Sequence, residues 1–286
     1  MKNYLSNIGI SLIMITSLFF YFNYINKSTK EKIIEEEKVT IKTDEELEDY
    51  IVKVVACEMP ALYEEEALKA QAIASRTYAL YQRDINNVTL TKQDQCFNSE
   101  EEMREKWLNN FDLYYTKIKN AVEKTTYLVM KADSNLFKSF YFSTSNGYTE
   151  DSMTVFKEGN IKSVNSEWDK ENKNFEVKTY FEKKDLVKTL GEFNSISITK
   201  RNTTNHVEEV FIDDKNLTGI EFRKLLNLRS TDFEINVVND TYEITTFGYG
   251  HGVGMSQFGA NMLAKENKTA EEILKYYYGD VEITKY

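Results

Sequence analysis

A single proline punctuates the first part of this chain, and the residues before it permit one local structure. Thr43-Asp44-Glu45-Glu46 has the form of a capping box, in which a Thr hydroxyl at the N-cap and a Glu three residues on satisfy each other's orphan backbone N–H groups. From that start Leu47, Ile51, Val54 and Glu58 follow at spacings of four, three and four. These spacings place all four on one helical stripe, the stripe that faces a core. Pro60 cannot continue a helix and biases Met59 away from the α region, so the helix is predicted to end at Glu58. Glu58 therefore continues an apolar face. A carboxyl there either finds a partner or keeps its proton to higher pH, because burial disfavours the charge, and a retained proton is what a general acid needs. The plainer alternative is a glutamate at a frayed helix end, pointing into water.

A second helix is predicted over residues 64–83. Ala67, Ala70, Ala74, Tyr78 and Tyr81 form a stripe whose small residues let another backbone approach closely. Gln71 and Ser75 flank the stripe, whereas Lys69 and Arg76, seven apart, share the other face. For Lys69 the default is a solvated cation, while the guanidinium of Arg76 is suited to clamping a carboxylate through two hydrogen bonds. Residues 84–110 read as a polar loop leading into a short exposed helix. Strands are predicted at 127–130 and 138–142, joined as a hairpin through the turn at 133–135. The second strand runs into Ser143-Thr144-Ser145-Asn146-Gly147-Tyr148-Thr149-Glu150-Asp151. That segment reads either as an Asx or Ser turn or as the lining of a sugar site, since its hydroxyls and amides both donate and accept.

Strand-like stretches at 175–181, 195–199, 207–212 and 233–238 alternate with helix candidates at 184–190 and 219–226, and read as scaffold. The run Gly248-Tyr249-Gly250-His251-Gly252-Val253-Gly254, if extended, would have one bare face open to close approach by backbone or ligand. It lacks the Gly-Lys-Ser/Thr of a phosphate loop and the spacing of a dinucleotide fingerprint. A lone His in such a turn is as readily structural as functional, and Gln257 at the following helix has a capping role as its plain alternative. A last helix opens on the capping box Thr269-Ala270-Glu271-Glu272 and closes at Gly279.

The formal net charge of −10, without a long basic run, argues against nucleic acid as a partner. Residues 8–25 carry no charge and, at about 18 residues, match the length needed to cross a bilayer. Aromatic residues cluster at their end and no small-residue cleavage site follows, so residues 1–26 are expected to be a retained membrane anchor and 27–42 a charged tether. Residues 43–286 are expected to form the folded region that carries the candidate site. Cys57 and Cys96 could pair or stay free. With only two histidines and no Cys-x-x-Cys spacing, neither a metal nor another cofactor is expected.

Four segments together, VVACEMPALYEEEALKAQAIASRTYAL at 54–80, FYFSTSNGYTED at 140–151, SEWD at 166–169 and GYGHGVGMSQFGANMLA at 248–264, resemble the stage II sporulation protein D family of endospore-forming bacteria. The resemblance covers nearly everything after residue 43. It implies an α+β fold, with a helical N-terminal lobe that bears the active-site helix and packs on an antiparallel sheet, a second mixed α/β lobe, and a single N-terminal transmembrane helix. It implies a lytic transglycosylase that cuts peptide-stripped peptidoglycan glycan strands at the septum during engulfment. The expected location is the cell membrane, with the catalytic region outside the cytoplasm on the mother-cell side. Expected partners are a cell-wall amidase like stage II sporulation protein P and a membrane scaffold like stage II sporulation protein M. By the same resemblance Glu58 is the catalytic acid, and Lys69, Gln71, Arg76, Tyr78, Ser143, Ser145, Tyr148, His251 and Gln257 bind substrate. Some relatives hold zinc through Cys and His in the loop after the second helix, where this chain has only Cys96. The competing readings are a hydrolytic muramidase using Glu58 with Glu150 or Asp151, a non-catalytic glycan-binding activator of an amidase, and a purely structural septal protein.

Overall fold

The capping box forms as its chemistry requires. Thr43 Oγ1 accepts the Glu46 amide and Glu46 Oε2 accepts the Thr43 amide, each at 3.2 Å, opening helix α1 (Asp44–Glu58). The computed structural model of the chain describes residues 38–286. The anchor assigned to 1–26 and the tether up to residue 37 lie outside the described residues, among which no helix is long and apolar enough to cross a membrane. The architecture below is that of the unit Thr40–Tyr286. Leu47, Ile51 and Val54 are fully buried, and Met59 turns extended (φ −116°, ψ 143°), so α1 stops where Pro60 requires.

Helix α2 (Glu65–Leu80) buries Ala67, Ala70 and Ala74 completely and runs on into a π turn at Tyr81–Ile85. After α3 (Glu100–Trp107), capped by Ser99, comes α4 (Phe111–Glu123), which packs against both α1 and α2. The sequence reading assigned no helix there, although Phe111, Ile118, Ala121 and Val122 form its buried face. Strands β1 (Leu128–Lys131) and β2 (Tyr141–Phe142) follow. They are not the hairpin expected. Asp133 and Ser134 do turn, both at positive φ, but they close only an isolated bridge between Ala132 and Asn135. Beyond it Phe137 leaves to pack against Tyr278, with ring centroids 5.8 Å apart.

A short helix α5 (Ser152–Val155) precedes the second lobe. That lobe runs β3 (Glu176–Glu182), α6 (Lys183–Leu190), β4 (Ile196–Arg201), β5 (Val207–Ile212), β6 (Lys215–Thr218), α7 (Gly219–Leu225), β7 (Phe233–Val238) and β8 (Thr241–Phe247). It holds two three-stranded antiparallel sheets, ordered β3-β8-β7 and β4-β5-β6. Their inner faces and the two helices enclose Leu186, Val210, Phe222, Phe233 and Ile244, all at most 1% exposed. Each such side chain contributes about 1.5–3 kcal/mol on burial.

The chain then returns to the helical lobe through β9 (Met255–Ser256), α8 (Gln257–Lys265), α9 (Ala270–Tyr278) and β10 (Glu282–Lys285). Strand β9 pairs in parallel with β2, and β10 pairs antiparallel with β1. The fold is thus mixed α+β as expected, with one correction. The helical lobe is tied by two short strand pairs rather than laid on a broad antiparallel sheet, because β1 and β2 each pair with the far end of the chain. The glycine run is not a flat extended strand either. Gly254 adopts φ +79°, and a Cβ there would lie 1.9 Å from the Phe140 carbonyl oxygen, so the bare position is what lets β9 reach β2.

Candidate active site

Three segments meet at the end of α1. Glu58 is the last residue of α1 and is half-buried. Its Oε1 accepts the backbone N–H of Cys96 at 2.9 Å, and its Oε2 accepts the Gln257 side-chain amide at 3.2 Å. Gln257 reaches it because β9, paired with β2, delivers the chain to the first position of α8, where Ser256 caps the helix by accepting the Gly259 amide. Cys96 reaches it because the loop after α2 is bonded back to α1. Cys57 and Cys96 form a disulfide, which settles the pairing that the sequence left open and engages the loop's sulfur.

Burial holds the Glu58 carboxyl above its ordinary value of 4.5. The Gln257 amide, the Cys96 N–H and the positive charge of Lys106 all favour the carboxylate and oppose that shift. Lys106 is itself anchored, donating to the Ala56 carbonyl at 3.0 Å. The result is an acid that keeps its proton to higher pH than a free carboxyl and has both oxygens oriented, the condition for giving a proton up and recovering it.

Behind Glu58 a buried polar chain continues into the core. Gln257 Nε2 also lies 3.4 Å from Gln71 Oε1, and Gln71 Nε2 donates to Ser75 Oγ at 3.0 Å. Ser75 Oγ donates to the Tyr141 hydroxyl at 3.4 Å, and Gln95 Nε2 donates to the same hydroxyl at 2.8 Å. Tyr50 OH closes the series on Gln95 Oε1 at 3.3 Å. Burial, with the Glu58 charge second, raises the Tyr141 phenol well above its ordinary range, so it stays neutral. A satisfied network of this kind fixes Gln257 in one orientation. Gln257→Ala is accordingly expected to fold normally but to leave the Glu58 carboxylate with one donor fewer, so that Glu58 keeps its proton to higher pH than in the wild type. NMR titration of the Glu58 carboxyl checks this, and an unchanged titration would remove Gln257 from the site.

The structure brings Glu58, Gln71 and Gln257 together with Ser143 at the border, and places the remaining expected binding residues elsewhere. Lys69 pairs with Glu66 at 2.6 Å. Arg76, expected to bind substrate, is fully buried. Its Nε and Nη2 grip both oxygens of Glu48 at 2.7 and 2.6 Å, and its Nη1 donates to the Leu128 carbonyl at 3.0 Å. The clamp is real, but its carboxylate belongs to α1. Tyr78 is buried against Phe140, with ring centroids 6.4 Å apart. His251 sits among Phe140, Phe142 and Phe156, and its Nδ1 accepts the Val253 amide at 3.1 Å. Burial, helped by the Arg223 charge, lowers its pKa to about 4, so it is a neutral packing residue.

The hydroxyl-rich segment divides. The Ser143 carbonyl accepts the Phe258 amide at 3.0 Å, directly after Gln257, so this residue borders the site. Ser145 belongs to a buried cluster around Asp169, whose Oδ2 accepts the Ser145 amide at 2.7 Å and Ser166 Oγ at 3.2 Å. Tyr148 is exposed and lines a separate open cleft of about 340 Å³ with Asn146, Lys170 and Phe175. Sequence reasoning gives no role to Gln95, Tyr141, Lys106 or Asp169, although Tyr141 lies in the FYFSTSNGYTED segment and Asp169 closes the SEWD motif. Burial, offset by hydrogen bonds from Ser145, Ser256 and Ser166, raises its pKa to about 6.

Known proteins are similar to this chain in sequence over most of its length. The family model described as stage II sporulation protein matches residues 35–131. The chain is 38% identical over 254 residues to stage II sporulation protein D of Bacillus subtilis (strain 168), covering 83% of this chain and 74% of that protein. It is 36% identical to the protein of the same name from Bacillus amyloliquefaciens, with the same coverage. A more distant similarity, 25% over 294 residues, joins it to a Bacillus subtilis protein named amidase enhancer, covering 82% of this chain but 40% of that protein.

Proposed function

Since the chain belongs to the stage II sporulation protein D family, we propose that it is a sporulation protein that cuts peptidoglycan glycan strands as a lytic transglycosylase, with Glu58 as its acid and then its base. The observation that carries this reading is the carboxyl at the end of α1, oriented by the Cys96 N–H and the Gln257 amide and with its pKa raised by burial. In the proposed reaction Glu58 gives its proton to the oxygen joining N-acetylmuramic acid to N-acetylglucosamine. That bond breaks as positive charge develops at the anomeric carbon. The Glu58 carboxylate then takes the proton of the muramic C6 hydroxyl, whose oxygen closes a 1,6-anhydro ring. No water is consumed.

A hydrolase of the usual kind needs a second free carboxylate. The two that the sequence offered are engaged. Glu150 is 3% exposed and is held by Asn202 at 2.7 Å, by Thr204 and by His206 at 2.9 Å, while Asp151 caps α5 and pairs with Lys162 at 3.0 Å. Mass spectrometry of digested, peptide-stripped strands tests the reading. Each fragment bearing the new muramyl end should be lighter by one water than a reducing-end product, and reducing ends would overturn it. The pH profile gives a second test. Turnover should fall on the alkaline side as Glu58 loses its proton, with a midpoint above the ordinary 4.5, because a raised pKa keeps the acid form populated to higher pH. A midpoint at or below that value would contradict the assignment.

The uncharged residues 8–25 and the disulfide both support a membrane-anchored protein with its folded part outside the reducing cytoplasm. We place it on the mother-cell side of the septum, acting with an amidase that strips stem peptides and a membrane scaffold. A second reading, a glycan-binding activator that cuts nothing, draws on the name of the amidase enhancer relative. Binding to amidase-treated sacculi without release of fragments would favour it.

A further inference from the structure

We propose that the Cys57–Cys96 disulfide is a positioning device for Glu58, which keeps the Cys96 peptide N–H on the carboxyl and makes turnover depend on the oxidised state of the pair. The inference rests on the reading of Glu58 as the acid. Cys57 directly precedes Glu58 in the last turn of α1, and Cys96, 39 residues on, lies with its Cα 5.7 Å from that of Cys57. The same Cys96 supplies the backbone N–H that meets Glu58 Oε1 at 2.9 Å. One covalent bond thus ties the acid's helix to the residue that orients the acid.

The neighbours of Cys96 show what the bond adds. Gln95 is buried and holds Tyr141 OH and the Ser75 carbonyl at 2.8 and 3.2 Å. Phe97 is buried against Tyr50, with ring centroids 5.7 Å apart, and the Asn98 amide donates to the Lys53 carbonyl at 3.2 Å. These anchors dock the loop on the core without any help from sulfur. Cys96 itself is exposed. These contacts seat the residues on either side of Cys96, and the disulfide ties Cys96 itself to the acid's helix with its N–H toward Glu58.

Exposure also makes the bond accessible to a small dithiol. One thiolate of the reductant attacks a sulfur of the pair, forming a mixed disulfide and releasing the other cysteine thiolate. The second reductant thiol then closes its own disulfide and frees the remaining cysteine. Two electrons pass to Cys57 and Cys96, which end as thiols. The chain has only these two cysteines, so a thiol effect has one possible origin.

The experiment compares oxidised protein, protein reduced with dithiothreitol, the Cys57→Ser/Cys96→Ser variant with and without dithiothreitol, and Glu58→Gln. It measures kcat, KM and the alkaline limb of the pH profile, with circular dichroism as the check on folding. Reduced wild type and the double variant should agree with each other. Each should show about a tenfold lower kcat at little-changed KM, the effect of one lost hydrogen bond to a charged group. The alkaline limb should move to higher pH, because the carboxylate form loses a donor, and the double variant should ignore dithiothreitol. Should the double variant fold poorly, reduced wild type with a native spectrum carries the same readout. Reduced wild type with the kcat and pH limb of the oxidised protein would overturn the proposal. The failures are separable: turnover retained by Glu58→Gln removes the acid's assignment, whereas an inactive Glu58→Gln beside an enzyme indifferent to thiols removes only the disulfide's role.

Discussion

Glu58→Gln is expected to leave a folded protein whose turnover of peptide-stripped glycan strands is lower by about a thousandfold, within the range for loss of a positioned general acid. The substitution keeps the shape, and its Oε1 still accepts the Cys96 amide, while its Nε2 replaces Oε2 so that Gln257 must turn its own amide to meet it. It cannot donate a proton to a leaving oxygen or withdraw one from a hydroxyl, so both halves of the proposed reaction fail together. Stability should move the other way. Burial holds the Glu58 pKa above its ordinary 4.5, so the folded chain retains a proton that the unfolded chain releases, and stability falls as pH rises from the unfolded pKa through the folded one. The variant carries no such pH-dependent contribution. Its melting temperature relative to the wild type should therefore rise between pH 4 and pH 8. Calorimetry at the two pH values, beside product analysis, separates an acid from a structural glutamate. Turnover within about tenfold of wild type would place the acid elsewhere.

Local chemistry was legible in the sequence, and long-range pairing was not. The capping box at Thr43, the stripe through Leu47, Ile51 and Val54 and the stop at Pro60 are each decided within a few residues, which is why the end of α1 and the placement of Glu58 follow from sequence alone. Strand partners are chosen across the whole chain. β1 takes β10 and β2 takes β9, and a turn at Asp133 was a nearer but weaker signal than pairings made more than a hundred residues away. β8, the central strand of its sheet, was missed because it adjoins the glycine run and its buried positions do not alternate cleanly. In the site, Gln71 and Gln257 were named but their joint purpose was not, since only the fold puts both beside Glu58. The Cys96 N–H carries no side-chain signal at all.

Arg76 gives the largest expected effect on stability, and it separates a structural guanidinium from a substrate-binding one. Arg76→Met keeps most of the buried volume and removes the charge, leaving the Glu48 carboxylate, 18% exposed, without its clamp and the Leu128 carbonyl without its donor. Breaking a buried pair from one side costs about 3–5 kcal/mol, because the remaining charge is still desolvated. For a domain of this size that corresponds to a melting point lower by about 6–20 °C. Removing both partners, as Arg76→Met with Glu48→Met, should restore most of the loss, since a well-packed apolar pair at such a place is often as stable as the ion pair. Below the melting transition both variants should cut glycan at close to the wild-type rate, because Arg76 joins α1, α2 and β1 and reaches no groove. Thermal unfolding of the two variants and rates measured well below each transition give the answer. A single variant with an unchanged melting point and a raised KM would return Arg76 to the substrate, whereas a deep loss of stability rescued by the second substitution makes it the bolt that holds the acid's helix in place.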